Sequence, residues 1–236
     1  MKTIIYYIAL FLFLFISCKQ NKHLAEYKNV DINRVNLLLD SINNSIKNEV
    51  MEYSDSIIKS LDFKHLPAKI TGTLYIPERE ESECLDTADF FYLIKTIENR
   101  NIEEYLYSFE RRSCRERFDY TPYALYMATV TNDSEVSLYV YKSLYSINWY
   151  KKKTKKVIED DISLDELTKK QRNLALYYLI KSHEQGSAIA SSFLSSYFEE
   201  GLYFFPKDLS IAYKLESILL KDDGMDYWPG TDIKIE

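Results

Sequence analysis

The side chains that carry most enzyme chemistry are sparse in this 236-residue chain and poorly placed for it. Its three histidines, His23, His65 and His183, lie in different segments, so a multi-histidine zinc site is hard to assemble. No Cys-x-x-Cys pair offers a thiolate site, and neither a Gly-rich phosphate loop nor a Gly-x-Ser-x-Gly elbow occurs. The carboxylate pairs Glu103-Glu104 and Glu199-Glu200 are adjacent in sequence. On a helix such neighbours point about 100° apart, which suits solvated faces better than acid–base work. The expectation is a non-enzyme that needs no metal and no cofactor.

One residue does have a context that points to chemistry. Cys18 follows Ser17 at the end of an apolar run, Ile4 to Ile16, preceded by the single charge of Lys2. Thirteen residues are fewer than the roughly 20 needed to cross a bilayer, and they fit the core of a signal peptide. Residues 1–17 with Cys18 resemble a bacterial lipoprotein signal and its lipobox. The resemblance implies cleavage before Cys18 and acylation of that cysteine. Each buried methylene contributes about 0.8 kcal/mol, so two or more acyl chains hold a protein firmly at a membrane. The implied location is the bacterial cell envelope, with the outer membrane favoured over the inner, and the soluble part periplasmic or surface-exposed.

The remaining cysteines, Cys84 and Cys114, are an even pair in a compartment that permits oxidation. A bridge between them would close a loop of about thirty residues, worth roughly 3–4 kcal/mol in the chain-entropy view. Two buried free thiols are the other reading. Without residues 1–17 the chain has 219 residues and a side-chain balance of −7, a poor match for nucleic acid. Only five glycines and five prolines occur, and with sustained 3.6-residue periodicity they predict an all-α fold. The 21 tyrosines and 12 phenylalanines fit helix–helix seams, where a ring fills the seam and its hydroxyl reaches the edge. An exposed aromatic binding face is the functional alternative.

Five segments follow: a signal at 1–17, a lipidated tether at 18–30, a long helix and connector at 31–85, a helical-repeat domain at 86–224, and a tail at 225–236. The spacing of Ile32, Val35, Leu39, Ile42, Ile46, Tyr53 and Ile57 predicts one amphipathic helix from Asp31 to Leu61, broken near Glu49. Asn36, Asn43 and Asn44 argue against a coiled coil and for packing on its own domain. Pro67, Gly72 and Pro77 mark the connector, where 71–76 has the composition of a short strand. Shorter helices are expected from Asp86 or Thr87 to Asn99, and from Ile102 to Phe118. Thr121 is expected as an N-cap before Pro122, with that helix ending near Asn132. Ser134 and Glu135 open another helix to about Tyr150. The charged run at 151–162 suits a solvated loop or helix end, with an anionic-lipid patch as the lesser reading. Ser163 and Glu166 have the spacing of a capping box.

Beyond it, Ala175, Tyr178 and Ser182 share one helix face that stops at Gly186, a left-handed cap. Ala190, Leu194 and Phe198 share the next, which stops at Gly201. After Pro206, Asp208 can favour the N-terminus of a third helix, in which Ala212 repeats the place of Ala175. That offset of 37 residues suits a helix-pair repeat.

With Lys207-Asp208-Leu209-Ser210-Ile211-Ala212-Tyr213, these positions resemble a Sel-one-like repeat, a relative of the tetratricopeptide repeat. The resemblance covers about 50 residues: one unit and the opening helix of the next. It departs from the pattern at Ser182 with His183, at Ser195, at Phe198, and in the loop after Gly201. Residues 121–148, with Ala124, Ala128, Leu138 and Tyr141, are a partial match for a further unit. What the resemblance implies is a short α-solenoid, preceded by the long helix, whose concave face holds another protein or peptide. An adaptor for an envelope protein or peptide is the expected role. An immunity-type lipoprotein that neutralises a cognate toxin is the alternative.

Overall fold

The computed structural model describes residues 30–61, 87–110, 120–154 and 162–222. Cys18, Cys84, Cys114 and the suggested strand at 71–76 lie outside them. Among the described residues there are eight helices and no strand. They are α1 (Ile32–Ile58), α2 (Thr87–Glu98), α3 (Ile102–Glu110), α4 (Thr121–Thr131), α5 (Ser134–Thr154), α6 (Lys169–Glu184), α7 (Ala188–Glu200) and α8 (Leu209–Asp222). The chain divides into two compact units, one of Leu39–Ala190 and one of Met1–Leu38 with Ser191–Glu236. The division falls inside α1 and inside α7.

The 27 residues of α1 give a rod of about 40 Å. Its buried stripe runs Val35, Leu39, Ile42, Ile46, Val50 and Ser54 without a gap. The expected break near Glu49 is therefore absent: Val50 supplies the missing turn. Asn43, also buried, sits on the same face as Leu39 and Ile46.

Within Leu39–Ala190, α4, α5 and α6 lie side by side as a layer, with α2 on α3 and α3 against α5. Asn132 and Asp133 alone join α4 to α5, so the two helices are antiparallel. Asn132 takes the left-handed conformation (φ 52°) that ends α4. The Val136 N–H donates to Asp133 Oδ1 at 3.0 Å and fixes the start of α5. Thr121 is not the cap it was expected to be. Tyr120 holds the cap position without a side-chain bond. The Thr121 hydroxyl instead lies 3.1 Å from that of Ser143, both buried across the α4–α5 seam.

The capping box expected at Ser163 and Glu166 is displaced in the same way. Thr168 and Gln171 form it: the Gln171 N–H donates to Thr168 Oγ1 at 3.3 Å, and the Thr168 N–H to Gln171 Oε1 at 3.1 Å. Ser163 belongs to α5's side of the layer. Lys152 Nζ donates to Ser163 Oγ at 2.6 Å, and Asn148 Nδ2 donates to the Ser163 carbonyl at 2.7 Å. The Glu166 N–H returns a bond to Asn148 Oδ1 at 2.9 Å. These bonds explain why α5 continues past Tyr150 and why Lys152 is buried rather than solvated.

The far end of α6 is tied to the opposite end of α5, which makes this pair antiparallel too. Ser182 Oγ donates to the Ser134 carbonyl at 2.8 Å, and Ser137 Oγ to Gln185 Oε1 at 2.8 Å. Gln185 Nε2 donates to the carbonyl and the side-chain oxygen of Asn132. The chain then leaves α6 through a Schellman turn: Ser187 N–H to the Ser182 carbonyl, Gly186 N–H to the His183 carbonyl, with Gly186 at φ 99°.

In the other unit, Phe198 and Tyr197 of α7 close on Phe205, with ring centroids 5.1 and 5.4 Å away. The Asp208 N–H donates to the Phe198 carbonyl at 2.9 Å. The turn depends on Gly201 (φ 72°), where a β-carbon would stand 2.8 Å from Lys207 Cβ and 3.1 Å from Lys207 N. Gly201→Ala meets both a left-handed backbone and a clash, and is expected to cost about 2–3 kcal/mol. Gly186 has open space around its missing β-carbon. Gly186→Ala therefore carries only the backbone term, about 1–2 kcal/mol. Denaturant titration of the two variants checks the order.

Candidate functional site

Each residue singled out in the repeat has a definite place. Ala175 and Tyr178 are buried on α6, and Ala190, Leu194 and Phe198 on α7, while Ala212 is buried on α8. Gly186 and Gly201 hold the two left-handed turns. Asp208 caps α8: its Oδ1 accepts from the Ser210 and Ile211 N–H groups at 3.0 and 3.2 Å and from the Ser210 hydroxyl. Burial alone would raise the Asp208 pKa. The Ser210 hydroxyl and the two N–H groups outweigh it, Arg34 adds to them, and the carboxyl stays below its ordinary value. Ala124, Ala128, Leu138 and Tyr141 of α4 and α5 are buried as well.

Several of the described tyrosine rings are core material: Tyr105, Tyr120, Tyr123, Tyr139, Tyr141, Tyr178 and Tyr197 are buried. Tyr92 and Tyr213 stand out, 45 % and 42 % exposed. The paired carboxylates Glu103-Glu104 and Glu199-Glu200 are exposed, as adjacent helical positions require. His183, near the end of α6, is buried, and burial lowers its pKa.

The titrating groups that do gather lie where α6 faces α1. Asn43 Nδ2 donates to Glu184 Oε1 at 3.4 Å. Asn173 Nδ2 donates to Glu49 Oε2 at 3.1 Å, and Ser54 lies beside the Tyr178 hydroxyl. Asn43 Oδ1 and Asn173 Oδ1 are buried with no hydrogen-bond partner in the protein. Partial burial raises Glu184 first, and the charge and hydrogen bond of Asp40 add to it, against Asn43 and Lys181, so that its pKa is pushed up to about 7. Burial likewise raises Tyr178 to about 12, with Tyr177 and Asp55 adding and Ser54 opposing. Lys181 Nζ lies 5.5 Å from the Tyr178 ring centroid. Burial lowers its pKa and Glu184 works against that.

None of these polar partners was singled out as a site in the sequence. The signal available was Asn43, a polar residue on an otherwise apolar stripe. Such a residue must find a partner on whatever covers the stripe. Chemically, the cluster can take up and release a proton and hold two helices in register. Among the described residues no three His, Cys, Asp or Glu side chains form a group that could hold a metal ion, and no helix is long and apolar enough to cross a membrane. Comparison with protein-family models, with curated proteins and with solved structures finds no match to the chain.

Proposed function

We propose that this protein is a lipid-tethered helical-repeat adaptor of the bacterial cell envelope, binding another protein or peptide through a short α-solenoid. The observation that carries the reading is the antiparallel layer α4–α5–α6, built on buried small residues, with α4 and α5 joined by a two-residue turn. Gly186 and Gly201 then end successive helices in the way the Sel-one-like resemblance implies. Exposed Tyr92 and Tyr213 supply ring faces of the kind partners use.

Two measurements on living cells test it. Metabolic labelling with an alkyne fatty acid is expected to mark the chain, and Cys18→Ser to abolish the mark and move the chain out of the membrane fraction. Photo-reactive residues at Tyr92 and Tyr213 are expected to cross-link one recurring envelope protein. An unlabelled chain sinks the tether, and cross-links confined to the chain itself sink the adaptor role.

A further inference from the structure

Among the described residues, most of the large apolar side chains left exposed lie in one of the two units. Leu37, Phe204, Leu209 and Tyr213 all belong to it. Leu209 and Tyr213 stand one turn apart and share the outer face of α8, opposite buried Ile211 and Leu215. α8 is thus apolar on both sides, and a helix of that kind asks for cover on both. In a helix-pair array, an end helix without a polar outer face is open to a further element.

The 37-residue repeat shows what such cover looks like. Tyr213 stands where α6 has Leu176, and Ser217 where it has Ile180. Leu176 and Ile180 are wholly buried within a layer of helices, whereas Tyr213 is not. The matching cover for α8 is another helix. The sequence after α8 does not supply one, because Gly224, Pro229 and Gly230 interrupt residues 223–236.

Charge decides between the remaining occupants. Lys207 is exposed just before α8, and Lys214 follows Tyr213 on its flank. Among the described residues neither ammonium has a hydrogen-bond or ion-pair partner. The nearby carboxylates are already engaged. Asp208 Oδ1 accepts from the Ser210 and Ile211 N–H groups, and Glu216 Oε2 accepts from Ser192 Oγ at 3.3 Å. A second copy of the chain would set the two lysines against their own kind, whereas an acidic helix neutralises them. We propose that the outer face of α8, Leu209 and Tyr213 flanked by Lys207 and Lys214, is the docking site for the partner, and that the partner presents an amphipathic helix with apolar anchors beside carboxylates. The site rests on the adaptor reading and gives that role a surface.

The probe is a fluorescein-labelled amphipathic peptide of about 18 residues, long enough to hold a helix, with leucine on one face and glutamate on the other. A control peptide carries lysine for glutamate. By fluorescence anisotropy the full chain is expected to bind the acidic peptide at least about tenfold more tightly, a preference that runs against its own net negative charge. Tyr213→Ala is expected to weaken the acidic peptide by about tenfold or more, and Leu209→Ala by about threefold. Lys207→Glu with Lys214→Glu is expected to reverse the preference. An unchanged melting midpoint by circular dichroism shows that each variant is folded. A photo-reactive residue in place of Leu209 is expected to cross-link the acidic peptide. Equal binding of the two peptides, an unmoved affinity in Tyr213→Ala, or an unaltered preference in the double variant each overturns the proposal. So does a cross-link from position 209 to residues 223–236 of the same chain, or a doubling of mass with concentration that Tyr213→Ala abolishes. The adaptor role is separable: it survives if a photo-reactive residue at Tyr92 still captures an envelope protein, and falls if that capture also fails.

Discussion

Phe198→Ala is expected to destabilise the unit that holds α8 by about 3–5 kcal/mol. The ring is fully buried and meets Phe205 edge-on at 5.1 Å, while Tyr197 stacks on the same ring at 5.4 Å. Removing it opens a cavity that cannot collapse easily. The chain on one side is pinned by Asp208 N–H to the Phe198 carbonyl, and on the other by the close approach of Gly201 to Lys207. Phe198→Leu keeps most of the volume and is expected to cost about 1–2 kcal/mol. Denaturant titration followed by near-ultraviolet circular dichroism, which senses this aromatic cluster, separates the two. Equal losses would mean that the rings contribute area and no shape.

Asn148→Ala is the second large effect, about 2–4 kcal/mol, for a different reason. Asn148 is 1 % exposed and uses both ends of its amide on backbone groups of the following segment, the Ser163 carbonyl and the Glu166 N–H. Truncation deprives both of this partner in a place water reaches poorly. Asn148→Asp can still accept from Glu166 but turns a carboxylate toward the Ser163 carbonyl, so it is expected to be no milder. Urea midpoints check both values. A loss below about 1 kcal/mol for Asn148→Ala would mean that the 162–168 segment seats itself without this amide.

The sequence was most legible where structure depends on near neighbours. Gly186, Gly201 and Asp208 were readable because a left-handed turn or a helix start needs only a few adjacent residues, and each stands where it was expected. The stripe of α1 was readable by its period, and Val50 closes the gap. Distance in sequence defeated the rest. Ser163-x-x-Glu166 and Thr168-x-x-Gln171 both have capping-box spacing, and only the second forms one. Nothing local separates them: Ser163 is claimed by Lys152 and Asn148, which belong to the preceding helix. Thr121 likewise looked like a cap and turned inward to Ser143. The Glu49–Asn173 bond was illegible for the same reason. Each polar group alone looks solvated, and only the fold puts one against the other.

The bonds that hold α1 also set the order in which this chain can assemble. Ser182 finds Ser134 across a separation of 48 residues, whereas Asn43 finds Glu184 across 141 and Glu49 finds Asn173 across 124. The entropy difference in closing the larger loop is only about 1 kcal/mol, so equilibrium stability barely registers it. Time does. During synthesis α1 emerges before the other described helices, yet its hydrogen bonds to α6 cannot form until more than a hundred further residues have appeared. Through that interval Asn43 and Glu49 lack the partners that α6 gives them, and any factor that escorts the nascent chain will find them. Among the described helices, the first made waits for the sixth.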